Sequence, residues 1–172
     1  MTFDKEVISA MAANNHRPII VAASNPAGVG PSECASSADV MRWSDGRAIF
    51  IPAKTFPGTD VGGRYQHFRG LSSSYTSPGL ALGALLSGLT TLREDLFLSA
   101  ADVVASSVSD EDRRIGSYFP ALDESRTIAA KVAHSVMVKA YDMGIATNTP
   151  RPYDIASEIQ SYMYQPTYRR YR

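Results

Sequence analysis

Cysteine is nearly absent from this chain: Cys34 is the single one in 172 residues. An internal disulfide is therefore impossible, a metal centre built on several thiolates is excluded, and a reducing compartment is expected. His16 and His134 have no metal-ligand spacing with acidic or sulfur partners. Net charge is absent too, because 17 Lys and Arg balance 17 Asp and Glu. No overall field would draw the chain to nucleic acid or to an anionic membrane. Long hydrophobic runs are lacking: the longest, near Leu80–Leu86, is too short to span a bilayer and is interrupted by Gly83. The start, Met1-Thr2-Phe3-Asp4-Lys5-Glu6, contains no apolar signal core. Finally, no strand-like run leads into Gly-x-Gly-x-x-Gly and a helix, so no pyrophosphate cradle is visible. The expectation is a soluble, cytoplasmic chain with neither nucleic acid nor membrane as partner.

What is present is apolar material, 44% of residues, enough for one domain of ordinary size. Residues 3–13 place Phe3, Val7, Ile8 and Met11 on one helical face, and Asn14-Asn15 with Pro18 should stop that helix. The run Pro18-Ile19-Ile20-Val21-Ala22-Ala23 suits a strand buried on both faces of a parallel sheet. Ser24-Asn25-Pro26 ends it, and a Gly/Pro/Ser-rich loop continues through Ser32. Residues 33–42 suit a short helix with Val40 and Met41 inward, Ser44-Asp45-Gly46 a turn, and Arg47–Ile51 a second strand.

Residues 52–77 hold two prolines, four glycines and the run Ser72-Ser73-Ser74, which reads as a long irregular segment. Helices are expected from Pro78 to about Leu92, over roughly 94–107, from about Asp123 to Met143, and from near Tyr153–Asp154 to before Pro166. Ser109-Asp110-Glu111-Asp112 resembles a capping box, and Gly144 is a helix stop. No internal repeat or linker divides the chain. The reading is one domain over 1–172, with an α/β part over 1–77 that includes the long loop and a helical part over 78–172. Two strands cannot make a full doubly wound sheet. Helices or another subunit must cover their faces, and a homo-oligomer is expected.

Several collinear motifs carry a resemblance. They are Arg17 to Pro26 ending in Ser-Asn-Pro, then Glu33-Cys34, Trp43-Ser44-Asp45-Gly46-Arg47-Ala48-Ile49-Phe50, Pro78-Gly79-Leu80-Ala81-Leu82-Gly83, Ile128 to Ala133, Pro150-Arg151-Pro152 and Met163 to Tyr168. In order and spacing this resembles the malic enzyme family, from partway through its nucleotide-binding domain to its C-terminal helices. The resemblance implies an α/β, helix-rich fold: a truncated Rossmann-like parallel sheet of few strands with about four C-terminal helices. It also implies that the family's Gly-rich turn, catalytic tyrosine and lysine, and acidic metal ligands have no counterpart here. The family's Gln-Gly-Asn-Asn, whose amides bind the substrate carboxylate, is replaced by Gly70-Leu71-Ser72-Ser73. Its Ser-Gly-Ser loop beside the nicotinamide is replaced by Pro52-Ala53-Lys54. Asn25 is the substrate-contacting family residue that is kept.

Each candidate residue has two readings. Asn25, at a strand end, can orient a carbonyl or carboxylate, or simply make an Asn-Pro turn. Lys54 can act as an acid, an electrostatic clamp or a Schiff-base amine, or be a solvated loop lysine. His67 can be a general base and Arg69 an anion fork, or both can be incidental loop residues. Ser72, Ser73 and Tyr75 precede the Pro78 helix and can bind an oxyanion or carbonyl oxygen there, or belong to a polar loop. Tyr75 also matches a structural family tyrosine. Cys34 is a low-pKa thiol or a small buried residue. The tyrosines and arginines from Tyr162 to Arg172 read as a docking tail rather than a base-stacking surface.

From these residues the expectation is a repurposed enzyme that needs no cofactor and no metal. It would perform redox-neutral chemistry (isomerase, cyclase or lyase) on a small carbonyl or carboxylate substrate. Lys54, His67 and Tyr75 would be catalytic, and Asn25, Arg69, Ser72 and Ser73 would bind substrate. The alternatives are a non-catalytic partner of a metabolic enzyme and an inactive fragment. A partner should show an exposed apolar patch or depend on a second chain.

Overall fold

The computed structural model describes residues 4–22, 36–53, 55 and 58–166. Asn25, Cys34, Lys54 and the tail from Thr167 onward lie outside the described residues. The described chain forms two compact units, one of residues 1–73 and 105–121, the other of residues 74–104 and 122–172.

In the first unit, helix α1 (Lys5–Asn14) opens on Asp4, whose carboxylate accepts from the Val7 N–H at 3.0 Å. Strand β1 (Ile19–Ala22) pairs in parallel with β2 (Ile49–Pro52), Ile19 opposite Ile49 and Ala22 opposite Pro52. Helix α2 (Ser37–Trp43) makes the crossover. The expected apolar runs are thus the strands, and Val40 and Met41 do face inward. Together with Ile8, Ile20, Ala48, Phe50 and Phe68 they form this unit's core.

Two expectations need correction here. The inner face of α1 is Ile8 and Ala12; Val7 and Met11 are exposed. Periodicity finds an apolar face but does not say how much of it meets a neighbour. The long irregular segment also contains a hairpin, β3 (Thr59–Val61) against β4 (Arg64–Gln66). Its turn is Gly62-Gly63, with φ 61° and 81°, the left-handed pair that a two-residue hairpin turn requires. Strands of three residues are too short to show an alternating pattern. Helix α5 (Asp110–Arg114) starts with the expected capping box, Ser109 and Asp112 each bonding the other's N–H.

The second unit is helical: α3 (Ser77–Ser87), α4 (Glu94–Ser106, whose end enters the first unit), α6 (Ser125–Asp142) and α7 (Ile155–Tyr162). Helix α3 stops at Ser87, short of the expected Leu92. Gly88 turns left-handed at φ 66°, and the Asn148 carboxamide donates to the Leu86 carbonyl at 3.0 Å, taking up an end-of-helix acceptor. Helices α3 and α6 pack closely because Gly79 and Gly83 lie against Val132 and Val136. Leu86, Ala133, Met137, Ile155 and Ile159 fill the space between α3, α6 and α7. The fold is the helix-rich, truncated parallel α/β arrangement expected from sequence. No described helix is long and apolar enough to cross a membrane.

Candidate functional site

Ligands of open α/β sheets sit beyond the carboxyl ends of the strands, and this parallel pair ends at Ala22 and Pro52. The Leu71 N–H donates to the Pro52 carbonyl at 2.8 Å, and the Gly70 N–H donates to Thr55 Oγ1 at 3.1 Å. These bonds fold residues 70–71 against the end of β2. Phe68 anchors the segment from the core, edge-on to Phe50 with ring centroids 5.8 Å apart. Ser72, half-buried, and Ser73, exposed, follow directly. By chain position Asn25 comes three residues after β1 and Lys54 two after β2, both outside the described residues.

His67 is half-buried and is held by its backbone, whose N–H donates to the Ile115 carbonyl at 2.8 Å. Its imidazole has no hydrogen-bond partner among the described residues. Arg69 is committed elsewhere. Its Nη1 donates to Asp112 Oδ1 at 2.6 Å and to the Phe119 carbonyl at 3.0 Å. Only 15% of the Arg69 side chain and 11% of the Asp112 side chain are exposed. Asp112 also accepts from the Ser109 hydroxyl and N–H. Burial alone would raise its pKa. The Ser109 hydrogen bonds and the Arg69 guanidinium outweigh burial and hold the carboxyl below its ordinary value. Sequence reading missed this partner, because no local pattern links residues 43 positions apart.

Tyr75 is buried and belongs to the second unit, while Ser72 and Ser73 close the first. The described residues contain no group of three or more potential metal ligands.

The sequence profile of the family described as "Malic enzyme, NAD binding domain" matches residues 1–141. The chain belongs to the malic enzyme family. It is 41% identical over 172 residues to the chloroplastic NADP-dependent malic enzyme of Oryza sativa subsp. japonica, covering 99% of this chain and 26% of that protein. It is 40% identical over 171 residues to NADP-dependent malic enzyme 1 of Arabidopsis thaliana, covering 99% of this chain and 29% of that protein. A chloroplastic relative in Solanum lycopersicum is 39% identical with the same coverage, 99% and 29%. The chain spans less than a third of the length of these relatives.

An NAD-binding domain of the malic enzyme family implies a dinucleotide, whose pyrophosphate needs free N–H donors at a helix start beyond a strand. At the start of helix α2, which follows β1, side chains already take up two of the N–H donors. The Asp39 N–H donates to Ser36 Oγ at 3.1 Å, and the Ser36 N–H donates to the Asp39 carboxylate at 3.3 Å. The hydrogen bond from the Ser36 hydroxyl, joined by Arg42, holds the Asp39 carboxyl below its ordinary value against some burial. A carboxylate therefore already stands at the start of α2. The start of α2 does not fit a pyrophosphate, and no step is assigned to a nicotinamide.

Proposed function

We propose that the chain is a non-catalytic module of the malic enzyme family that works by completing a sheet with the upstream strand of a malic-enzyme-type NAD-binding domain. One observation carries this reading. Among the described residues β1 is bonded along one edge only, and its outer side chains Ile19 and Val21 are 60% and 40% exposed, whereas Ile20 and Phe50 on the other face are 3% and 5% exposed. Val7 and Met11 add to the same unit's uncovered apolar surface. A parallel sheet is normally covered on both faces, and an open edge invites another strand. In the doubly wound order, successive strands of the second half lie side by side, so the strand preceding β1 belongs on its free edge. An exposed apolar patch of this kind among the described residues supports a partner role.

The test is co-expression with the part of a plant NADP-dependent malic enzyme that precedes the matched segment, the two pieces tagged differently. A stoichiometric complex with newly protected β1 amides in hydrogen exchange is expected. A soluble upstream piece that leaves the chain behind sinks the proposal, as does capture that is equally strong with Ile19→Lys and Val21→Lys together. The expected compartment is the cytoplasm, whereas the names of the rice and tomato relatives place those proteins in the chloroplast. Imaging of a tagged chain decides this.

A second reading rests on the segment at the end of β2. The Leu71 and Gly70 bonds bring the serine loop to the strand end, and His67, whose imidazole has no partner among the described residues, lies on the same segment. This supports a small carbonyl or carboxylate compound as ligand, with redox-neutral chemistry by His67 and Lys54. Arg69, bound to Asp112, would position the loop. Crystals soaked with small keto acids test it, and density confined to other surfaces would count against it.

A further inference from the structure

A cleft lies in the first unit, at the end of the strands opposite the Gly70–Leu71 segment. Helix α1 leads into β1 and α2 into β2, so the last turn of α1 and the α2–β2 connection meet at the amino ends of the parallel pair. Between them runs a cavity of about 720 Å³, lined by Lys5, Ser9, Arg42, Trp43, Asp45 and Arg47 with two alanines. That volume falls within the range of small-molecule sites.

The cations in this cleft differ in how they are held. Arg47 Nη1 donates to the carbonyls of Asn15 at 3.2 Å and His16 at 3.0 Å, and Nη2 donates to that of Ala12 at 3.0 Å. These acceptors are neutral. They fix the guanidinium without cancelling its charge, and the exposed Asp45 carboxylate approaches only to 3.8 Å. Arg42 pairs with Asp39 one turn away on the surface, an arrangement that a competing anion displaces at little cost. Lys5 is exposed and has no carboxylate partner among the described residues. Three cations thus face two carboxylates. Trp43, the single tryptophan of the chain, packs partly on the core and also lines the cleft. An indole beside fixed and mobile cations matches a planar ring that carries a phosphate.

We propose that this cleft binds a nucleoside phosphate, its base against Trp43 and its phosphates between Lys5, Arg42 and Arg47. The proposal is independent of sheet completion at β1 and of the segment at the end of β2.

Intrinsic fluorescence reports on the site directly, because no second tryptophan contributes. The intact chain is titrated with ADP, with adenosine, and with inorganic phosphate as competitor. ADP should give a saturable change at submillimolar concentration that weakens as salt is raised. Adenosine should not saturate in that range, and phosphate should compete. Lys5→Gln and Arg42→Gln, both at exposed positions, should each weaken ADP roughly tenfold with unchanged circular dichroism. A linear, non-saturating change overturns the proposal. So does adenosine binding as tightly as ADP, or unaltered affinity when Lys5→Gln and Arg42→Gln are combined.

Discussion

Asp112 is the residue at which a single atom should matter most. Its carboxylate neutralises the mostly buried Arg69 and also closes the start of α5 through Ser109. Asp112→Asn keeps the shape and removes the charge, leaving a guanidinium out of water with no counter-ion. A loss of about 3 kcal/mol is expected in urea denaturation. Arg69→Met with Asp112→Leu should recover much of it, since a buried pair replaced as a whole costs little. The folded pKa of Asp112 lies below its ordinary 3.8. Its contribution is therefore complete well above that value and is lost as pH falls through the folded pKa. Asp39 and Asp154 behave alike: Ser36 hydrogen bonding lowers the first and Ser157 hydrogen bonding the second. All three sit at helix starts, so acid should act first on α2, α5 and α7. Denaturation midpoints should be flat near neutrality and fall in acid, less steeply for Asp112→Asn. A midpoint that rises on acidification contradicts this assignment.

At the scale of elements, the contact of α3 with α6 makes a prediction whose sign is informative. Gly→Ala inside an exposed helix stabilises by about 1 kcal/mol. At Gly83 the added Cβ would lie 2.8 Å from the Ala133 carbonyl and from Val136, and at Gly79 it would collide with the Ala129 carbonyl. Backbone cannot step aside as a flexible side chain can, so both substitutions should destabilise by about 1–3 kcal/mol, read by thermal melting. A stabilised Gly83→Ala would mean that the helices do not approach this closely. The helices were legible in the sequence because their signals are local: Ser109 with Asp112, Asp154 before α7, Pro78 in the first turn of α3 and Gly144 after α6. The end of α3 was not, because Asn148 reaches it from 62 residues away. The hairpin was not, because three-residue strands carry too little periodicity.

For the molecule as a whole, membership in the malic enzyme family sets an expectation about activity. The chain by itself should not oxidise malate with NAD or NADP, and a steady rate from the purified chain would contradict the expectation that the family's Gly-rich turn, catalytic tyrosine and lysine have no counterpart here. If it completes a malic-enzyme-type domain, Ser72 and Ser73 take positions where the resemblance implies asparagines. Ser72→Asn with Ser73→Asn should then raise malate oxidation of the reconstituted complex by at least tenfold, about the worth of one carboxylate hydrogen bond. Of the candidate site, the residue types and the strand-end location could be read from sequence. The commitment of Arg69 to Asp112 could not.

The sequence by itself determined the family, the two parallel strands and the helix starts. Each is written in contiguous residues whose local energetics suffice: apolar runs, caps, and glycines at left-handed positions. Tertiary structure alone decided which face of β1 is exposed among the described residues, which carboxylate holds Arg69, and that Arg47 is a fixed cation lining the same cleft as Trp43. Those outcomes depend on packing between segments far apart in the chain, and no pattern within a single segment records them.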